Sequence, residues 1–315
     1  MPRLVAEVDG DGAKQYWVLE GRAHGRTNVG LTTTSRESRE MADVEARLRH
    51  MDELEIDTQV LYPSLFLRPL TRRPDLEILL CRSYNRWLAD VWAQGRGRLR
   101  WAAVLPFMSM DEALKELRFA RDNGACAVFM RGIENDLTLN DPSFFPLYEA
   151  ASDLDMPIGI HAGNNSFDWE TLFDADSGYS RAKLPVVSAF HSLAFTGIPQ
   201  RFPRLRVGFI EAASQWVPGA IHDMARRIER RTGQPFDRSG VLRENRLFVS
   251  CQTDDDLEYV LKYAGEDNLV IGTDYGHNDT AAEIEALRYV RTQGHVSAQV
   301  INKILGANAE TLYGL

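Results

Sequence analysis

Three residues pair a chemistry-bearing side chain with the same kind of setting, the end of a short apolar run. His161 closes Pro157-Ile-Gly-Ile-His161 and precedes Ala-Gly-Asn-Asn, the start of a loop. It reads either as a histidine that caps the loop or as a neutral imidazole ligand to a metal. Asp274 follows Asn268-Leu-Val-Ile-Gly-Thr273, and Tyr-Gly-His-Asn-Asp separates it from the next helical pattern. That is too far for an N-cap, which leaves a metal ligand that doubles as a proton acceptor. Glu211 ends Arg204-Leu-Arg-Val-Gly-Phe-Ile210. A carboxylate leaving an apolar strand is costly to bury alone, so it pairs with a metal, a cation or a base such as His161. Ion pair and metal ligand stay equally open for it.

A second set could shape a pocket around these three. Arg131 ends Ala125-Cys-Ala-Val-Phe-Met130 and could hold a substrate carboxylate in its fork, although a structural ion pair fits as well. Phe167 and Trp169, in the stretch Asn164–Lys183, read as pocket walls or as plain packing, and His277, three residues past Asp274, reads as facing substrate or the metal's surroundings or as loop surface. His191 is a candidate catalytic residue within the uncharged run Val186–Phe195, where a satisfied buried histidine is the competing reading. His24, His50, His222 and His295 receive no role. Cys251 follows a strand end without an adjacent histidine to activate it, so a thiol nucleophile is not expected. No Gly-x-Ser-x-Gly occurs, which removes the nucleophile-elbow hydrolases.

The elements that must position these groups follow a rhythm of apolar runs and helical patterns. Strands are expected at 56–63, 99–106, 125–130, 157–161, 204–210, 246–250 and 268–273. Helices are expected at 42–54, 84–92, 110–123, 146–153, 216–230, 257–264 and 281–291. Alternation of this kind means βαβ units and a parallel sheet covered by helices. A closed (β/α)8 barrel needs eight strands and a doubly wound sheet has about five to seven. Functional residues after the C-terminal ends of three strands favour the TIM-barrel type. So does the lack of GxGxxG or GxxxxGK[ST] after any strand. Residues 4–8 and 15–19 around Asp-Gly-Asp-Gly form a hairpin decoration, and Asp9 and Asp11 belong to its turn. The chain divides into an excursion at 1–41 and a barrel at 42–315, a single domain overall.

Composition sets the class. With 315 residues, 44% hydrophobic and 26% charged, the chain can build a large core. A net charge of −9 without a basic cluster makes nucleic acid and anionic membranes poor partners. Three scattered cysteines with no CxxC argue against disulfides and a thiolate zinc site, and fit a reducing cytoplasm. The N-terminus has no apolar core of a signal peptide, and the longest uncharged stretch, 184–200, carries two prolines, so no membrane span is expected.

Six segments in order carry a resemblance: Asp57-Thr-Gln-Val-Leu-Tyr-Pro, Tyr84-Asn-Arg-Trp, Met156-Pro-Ile-Gly-Ile-His161, Arg201 to Glu211, Ile271-Gly-Thr-Asp274-Tyr, and Lys303-Ile-Leu-Gly-Ala-Asn-Ala-Glu-Thr-Leu-Tyr. From Ala42 onward the chain resembles the amidohydrolase superfamily, in the branch of aminocarboxymuconate-semialdehyde and γ-resorcylate decarboxylases. The resemblance implies a barrel with one divalent metal, zinc by default and manganese or iron as alternatives. His161 becomes the ligand of the fifth strand, and Asp274 the ligand and proton shuttle of the eighth. Glu211 falls where these decarboxylases often carry a histidine. The implied function is hydrolysis or non-oxidative decarboxylation of a small carboxylated or carbonyl-bearing molecule; the alternative is a barrel that binds a ligand without turnover. The family's opening Asp-x-His or His-x-His motif does not occur before Ala42. Either the first strand lies upstream of Met1 or the barrel lacks it, and a barrel without it exposes strand edges. A homodimer or larger homo-oligomer is therefore expected.

Overall fold

The computed structural model describes residues 3–9, 12–25, 34–173, 178–278 and 281–315. Three antiparallel strands open the chain: β1 (Arg3–Asp9), β2 (Gly12–Leu19) and β3 (Arg22–Gly25). Asp9 pairs with Gly12, in line with the hairpin reading; residues 10 and 11, including Asp11 of the expected turn, lie outside the described residues. The third strand is an addition: Glu20 and Gly21, both with positive φ, reverse the chain again, and β3 pairs with β2.

The principal sheet holds seven parallel strands. β4 (Gln59–Leu61), β5 (Leu99–Ala103) and β6 (Ala125–Arg131) come first. A small hairpin, β7 (Ile133–Glu134) with β8 (Leu137–Thr138), follows β6. Then come β9 (Ile158–His161), β10 (Val207–Ile210), β11 (Leu247–Cys251) and β12 (Leu269–Ile271). The spatial order is β12-β11-β10-β9-β6-β5-β4. All seven expected strands are present; five are trimmed where the run leaves the ladder, β6 runs one residue further to Arg131, and β11 is shifted by one residue to Leu247–Cys251. Each inter-strand segment carries helix, as parallel pairing demands.

The two faces are both apolar, as befits a parallel sheet. One packs on the helices through Trp101, Met130, Ile158, Ile160, Phe209 and Val249. The other encloses Ala102, Phe129, Phe248 and Val270 with Phe66, Leu312 and Tyr313. Two glycines make room inside. A Cβ on Gly159 would stand 2.2 Å from the Tyr62 hydroxyl, and one on Gly208 would stand 3.0 Å from Leu312 Cδ2.

Side chains tie the two edges of the sheet, curling it into an incomplete barrel. Tyr62, after β4, hydrogen-bonds Tyr313 of the last helix at 3.0 Å. Arg47 donates to Gln59 of β4 at 2.7 Å and lies over the ring of Tyr275, which follows β12. Asn308 donates to the Leu269 carbonyl of β12 at 2.7 Å.

Helix lengths differ from expectation at two places. The helix read at 84–92 runs from Pro74 to Gln94, because Pro74 at its first position and Asp75 and Glu77 in the first turn start it early. The one read at 281–291 spans only Ala286–Arg291. The stretch 164–183, read as loop, holds a helix at Phe167–Leu172 whose N-terminal amide at Trp169 is capped by Ser166. The three cysteines are free and buried. Among the described residues no helix is long and apolar enough to cross a membrane.

Candidate functional site

Three strand ends and the segment after β4 meet at one place. His161 is the last residue of β9 and stands next to Ile210 in register. Its Nδ1 donates to the Ala162 carbonyl at 2.8 Å, which directs Nε2 toward Glu211 Oε2 at 3.0 Å. Burial alone favours the neutral ring and is the largest single influence on it. Glu211, the Ala162 carbonyl and Asp274 together outweigh that, and the His161 pKa lies above its usual 6.5.

Glu211 and Asp274 hold their carboxylates in place with unusual backbone. Glu211 has φ 60° and Asp274 φ 44°, the left-handed region that side chains with a Cβ seldom enter. Such strain costs about 1–3 kcal/mol and concentrates at functional sites. At Glu211 the turn is pinned by its N–H, which donates to Ser250 Oγ of β11 at 2.7 Å. Below it, Asp255 accepts from Ser214 N and Oγ and from Gln252 N, joining the loops after β10 and β11. His277 Nδ1 lies 2.6 Å from Asp274 Oδ1, and its Nε2 lies 3.0 Å from Ser64 Oγ.

Glu211, Asp274 and His277 each offer a ligand atom within 4.8 Å of the other two. Two carboxylates and an imidazole, all partly buried, are a donor set suited to zinc, manganese or iron. The residues present therefore fit one divalent cation, with His161 against Glu211. The structure places His161 beside Glu211 and Asp274, but His161, expected as a ligand, is not one of the three residues whose ligand atoms lie within 4.8 Å of one another. It also moves His277 into the ligand-capable group.

The remaining candidates separate. Arg131, in register with His161, is engaged by a buried partner: its guanidinium and backbone N–H both bond Glu134, and Nη1 donates to the Phe66 carbonyl at 3.2 Å. It lines a cavity of about 510 Å³ with Phe66, Phe107, Phe129, Phe167 and Arg68. His161, Glu211, Asp274 and His277 are not among the residues lining it. The segment 64–72 stands between cavity and cluster, touching His277 through Ser64 and the cavity through Phe66 and Arg68. Trp169 is not in the cavity wall; its Nε1 donates to the Arg181 carbonyl at 3.1 Å. His191 faces Asp223 at 3.3 Å and stacks on Phe195, within the helix layer. Burial pushes the Cys251 thiol up, in line with an inert cysteine.

Sequence reasoning missed several groups that the fold brings to the cluster or to the cavity beside it. Glu77, on the helix Pro74–Gln94, lines the cavity and accepts from Met108 N at 2.9 Å; burial pushes its carboxyl up to about 7. Arg68 lines the same wall and pairs with Glu170 at 3.5 Å. Burial lowers its pKa. Tyr275, next in sequence to Asp274, is held by His50 and Ser38 from the N-terminal helices. Only its adjacency to Asp274 could have marked it beforehand.

Comparison with known proteins agrees with this fold. The amidohydrolase family profile matches residues 17–315. A 2-amino-3-carboxymuconate-6-semialdehyde decarboxylase from Dictyostelium discoideum is 23% identical over 291 residues, 87% of this chain and 77% of the relative. An amidohydrolase from Mycobacterium avium subsp. paratuberculosis superposes with a TM-score of 0.79 at 19% identity, covering 99% of this chain and 91% of that one. A dihydroxybenzoic acid decarboxylase from Polaromonas sp. JS666, solved with bound manganese and 2-nitroresorcinol, gives 0.67 at 19% identity, with 85% of each chain covered.

Proposed function

Because the chain belongs to the amidohydrolase family, we propose that it is a metal-dependent enzyme that removes a carboxyl group, without oxidation, from a small carboxylated aromatic molecule. The observation that carries this reading is the meeting of Glu211, Asp274 and His277 within 4.8 Å, with His161 3.0 Å from Glu211. Decarboxylation is preferred to hydrolysis because the curated relative and a structural neighbour are named as decarboxylases.

Glu211, Asp274 and His277 would hold the cation, manganese or zinc, whose chemistry is to polarise a substrate oxygen. Asp274 carries the proton to the ring carbon that loses its carboxyl group, and His277, 2.6 Å behind it, holds the aspartate for that transfer. The new C–H bond takes the place of the broken C–C bond, whose electron pair receives the proton as carbon dioxide departs. His161 and Glu211 orient each other, so that neither turns away when substrate enters. The cavity of about 510 Å³ is lined by none of these residues, so the reacting ring would sit at the cluster itself and not in that cavity.

The test is direct. Purified protein, reloaded with manganese or zinc, is incubated with a panel of hydroxylated benzoic acids while carbon dioxide release and metal content are followed. One bound ion per chain and metal-dependent release support the reading. Protein that cannot be loaded and releases nothing overturns it. Turnover of amides or esters without carbon dioxide would replace decarboxylation by hydrolysis.

A further inference from the structure

The segment Asp274-Tyr-Gly-His277 carries two of the ligand-capable side chains, and one residue between them is gripped from outside the sheet. The Tyr275 hydroxyl lies 2.6 Å from Ser38 Oγ and 2.5 Å from His50 Nδ1. His50 meets the tyrosine ring edge-on, with centroids 5.4 Å apart. The guanidinium carbon of Arg47 lies 3.2 Å from the ring centroid. Arg47 is 4% exposed, and it also donates to Gln59 Oε1 at 2.7 Å and to the Ser38 carbonyl at 3.4 Å. Next to Tyr275, Gly276 has φ +92°, and a Cβ there would stand 2.7 Å from Arg39 Cγ. The backbone is thus pressed against the same helices that hold the ring.

This is an expensive arrangement for a surface loop to maintain. A buried guanidinium must be paired and hydrogen-bonded to offset its desolvation, and burial lowers the Arg47 pKa to about 10. Its partners are a tyrosine face, an amide on β4 and one carbonyl, none of them a carboxylate. The unit connects the first strand edge, at Gln59, with the segment after the last strand. A strained Asp274 needs such support, because a left-handed aspartate relaxes unless neighbouring contacts determine its backbone.

We propose that Tyr275, held by Ser38, His50 and Arg47, is the positioning residue that sets Asp274 and His277 for binding a divalent cation. The inference rests on the reading that these two side chains take part in holding the ion. Tyr275 itself touches neither ion nor substrate; it acts through the backbone on either side of it. Groups outside the direct ligand set that orient ligands change metal affinity by about 10–100-fold when lost.

The test measures manganese affinity of the full chain by calorimetry, with thermal melts of the metal-free protein alongside. Tyr275→Phe keeps the ring under Arg47 and removes both hydroxyl contacts; it should weaken manganese binding by about tenfold or more. Tyr148→Phe removes a fully buried hydroxyl bond, to the Leu139 carbonyl, elsewhere in the core. It should lower the melting temperature and leave manganese affinity unchanged. His50→Leu should repeat the Tyr275→Phe loss, and His50→Gln, which can still bond the tyrosine, should restore most of it. Wild-type affinity in Tyr275→Phe overturns the proposal, as does an equal loss in Tyr148→Phe. Wild-type protein that binds neither manganese nor zinc overturns the metal reading itself, and the two failures are thereby told apart.

Discussion

His161 Nε2 and Glu211 Oε2 lie 3.0 Å apart, one at the end of β9 and the other just beyond the end of β10. Adjacent parallel strands deliver their last residues side by side, so the pair exists because the sheet places these two ends together. Removing His161 takes from the partly buried Glu211 the partner that holds its carboxylate. His161→Ala is therefore expected to lower both activity and metal content by at least an order of magnitude, with the fold retained because the residue sits at the mouth. Metal analysis and circular dichroism on the same sample check both parts.

Asp274→Asn should separate binding from proton transfer. The amide keeps the shape and one ligand oxygen but does not carry the acidic proton. Metal content is expected to stay partly intact while turnover falls about 100-fold or more, the lower range for loss of a general acid or base. A variant that turns over normally would remove Asp274 from the reaction.

The cavity carboxyl makes stability depend on pH. The Glu77 pKa is raised from 4.5 to about 7 by burial. Its protonated form is the one the fold prefers, so its stabilising contribution is complete below pH 4.5 and is lost as pH rises through about 7. Glu77→Gln keeps an acceptor for the Met108 N–H and cannot ionise. The stability difference, variant minus wild type, should grow toward the variant between pH 4.5 and 8. Urea midpoints across that range measure it, and a flat difference would mean that Glu77 ionises normally.

The Arg131–Glu134 pair is fully enclosed, with Glu134 side chain 0% exposed. Arg131→Met alone leaves a buried carboxylate without its cation and is expected to cost about 3–5 kcal/mol. Adding Glu134→Leu should recover much of that loss, because the uncompensated charge goes with it. Chemical denaturation of the single and double variants gives the coupling.

Gly159 tests the interior packing. A Cβ there would stand 2.2 Å from the Tyr62 hydroxyl, which occupies the space the glycine leaves. Gly159→Ala is expected to destabilise by about 1–3 kcal/mol through overpacking. Tyr62→Phe in the same chain should relieve part of it, because the clashing oxygen is gone. Thermal melts of the two variants decide the matter.

Much of this protein was legible in the residues themselves. Runs such as Ile158–His161 and Val207–Ile210 are short, apolar and bounded by breaks, and burial on both faces of a parallel strand demands that composition. His161, Glu211 and Asp274 were readable because each interrupts such a run where strand ends gather. Local pattern carried less information about the stretch 164–183, where capping by Ser166 made a helix of a segment with weak periodicity. The partners were not legible at all. His277 meets Ser64 across 213 positions, Tyr275 meets His50 across 225, and Arg131 finds Glu134 where a cavity could as well have taken it. Residue type says what a side chain can bond, whereas which bond it makes depends on the distances that only chain closure supplies. The alternating pattern of the sequence thus determined the sheet and the residues at its ends. The tertiary structure decided which of those ends form one site, because only the curled sheet brings the segment after its first strand against the segment after its last.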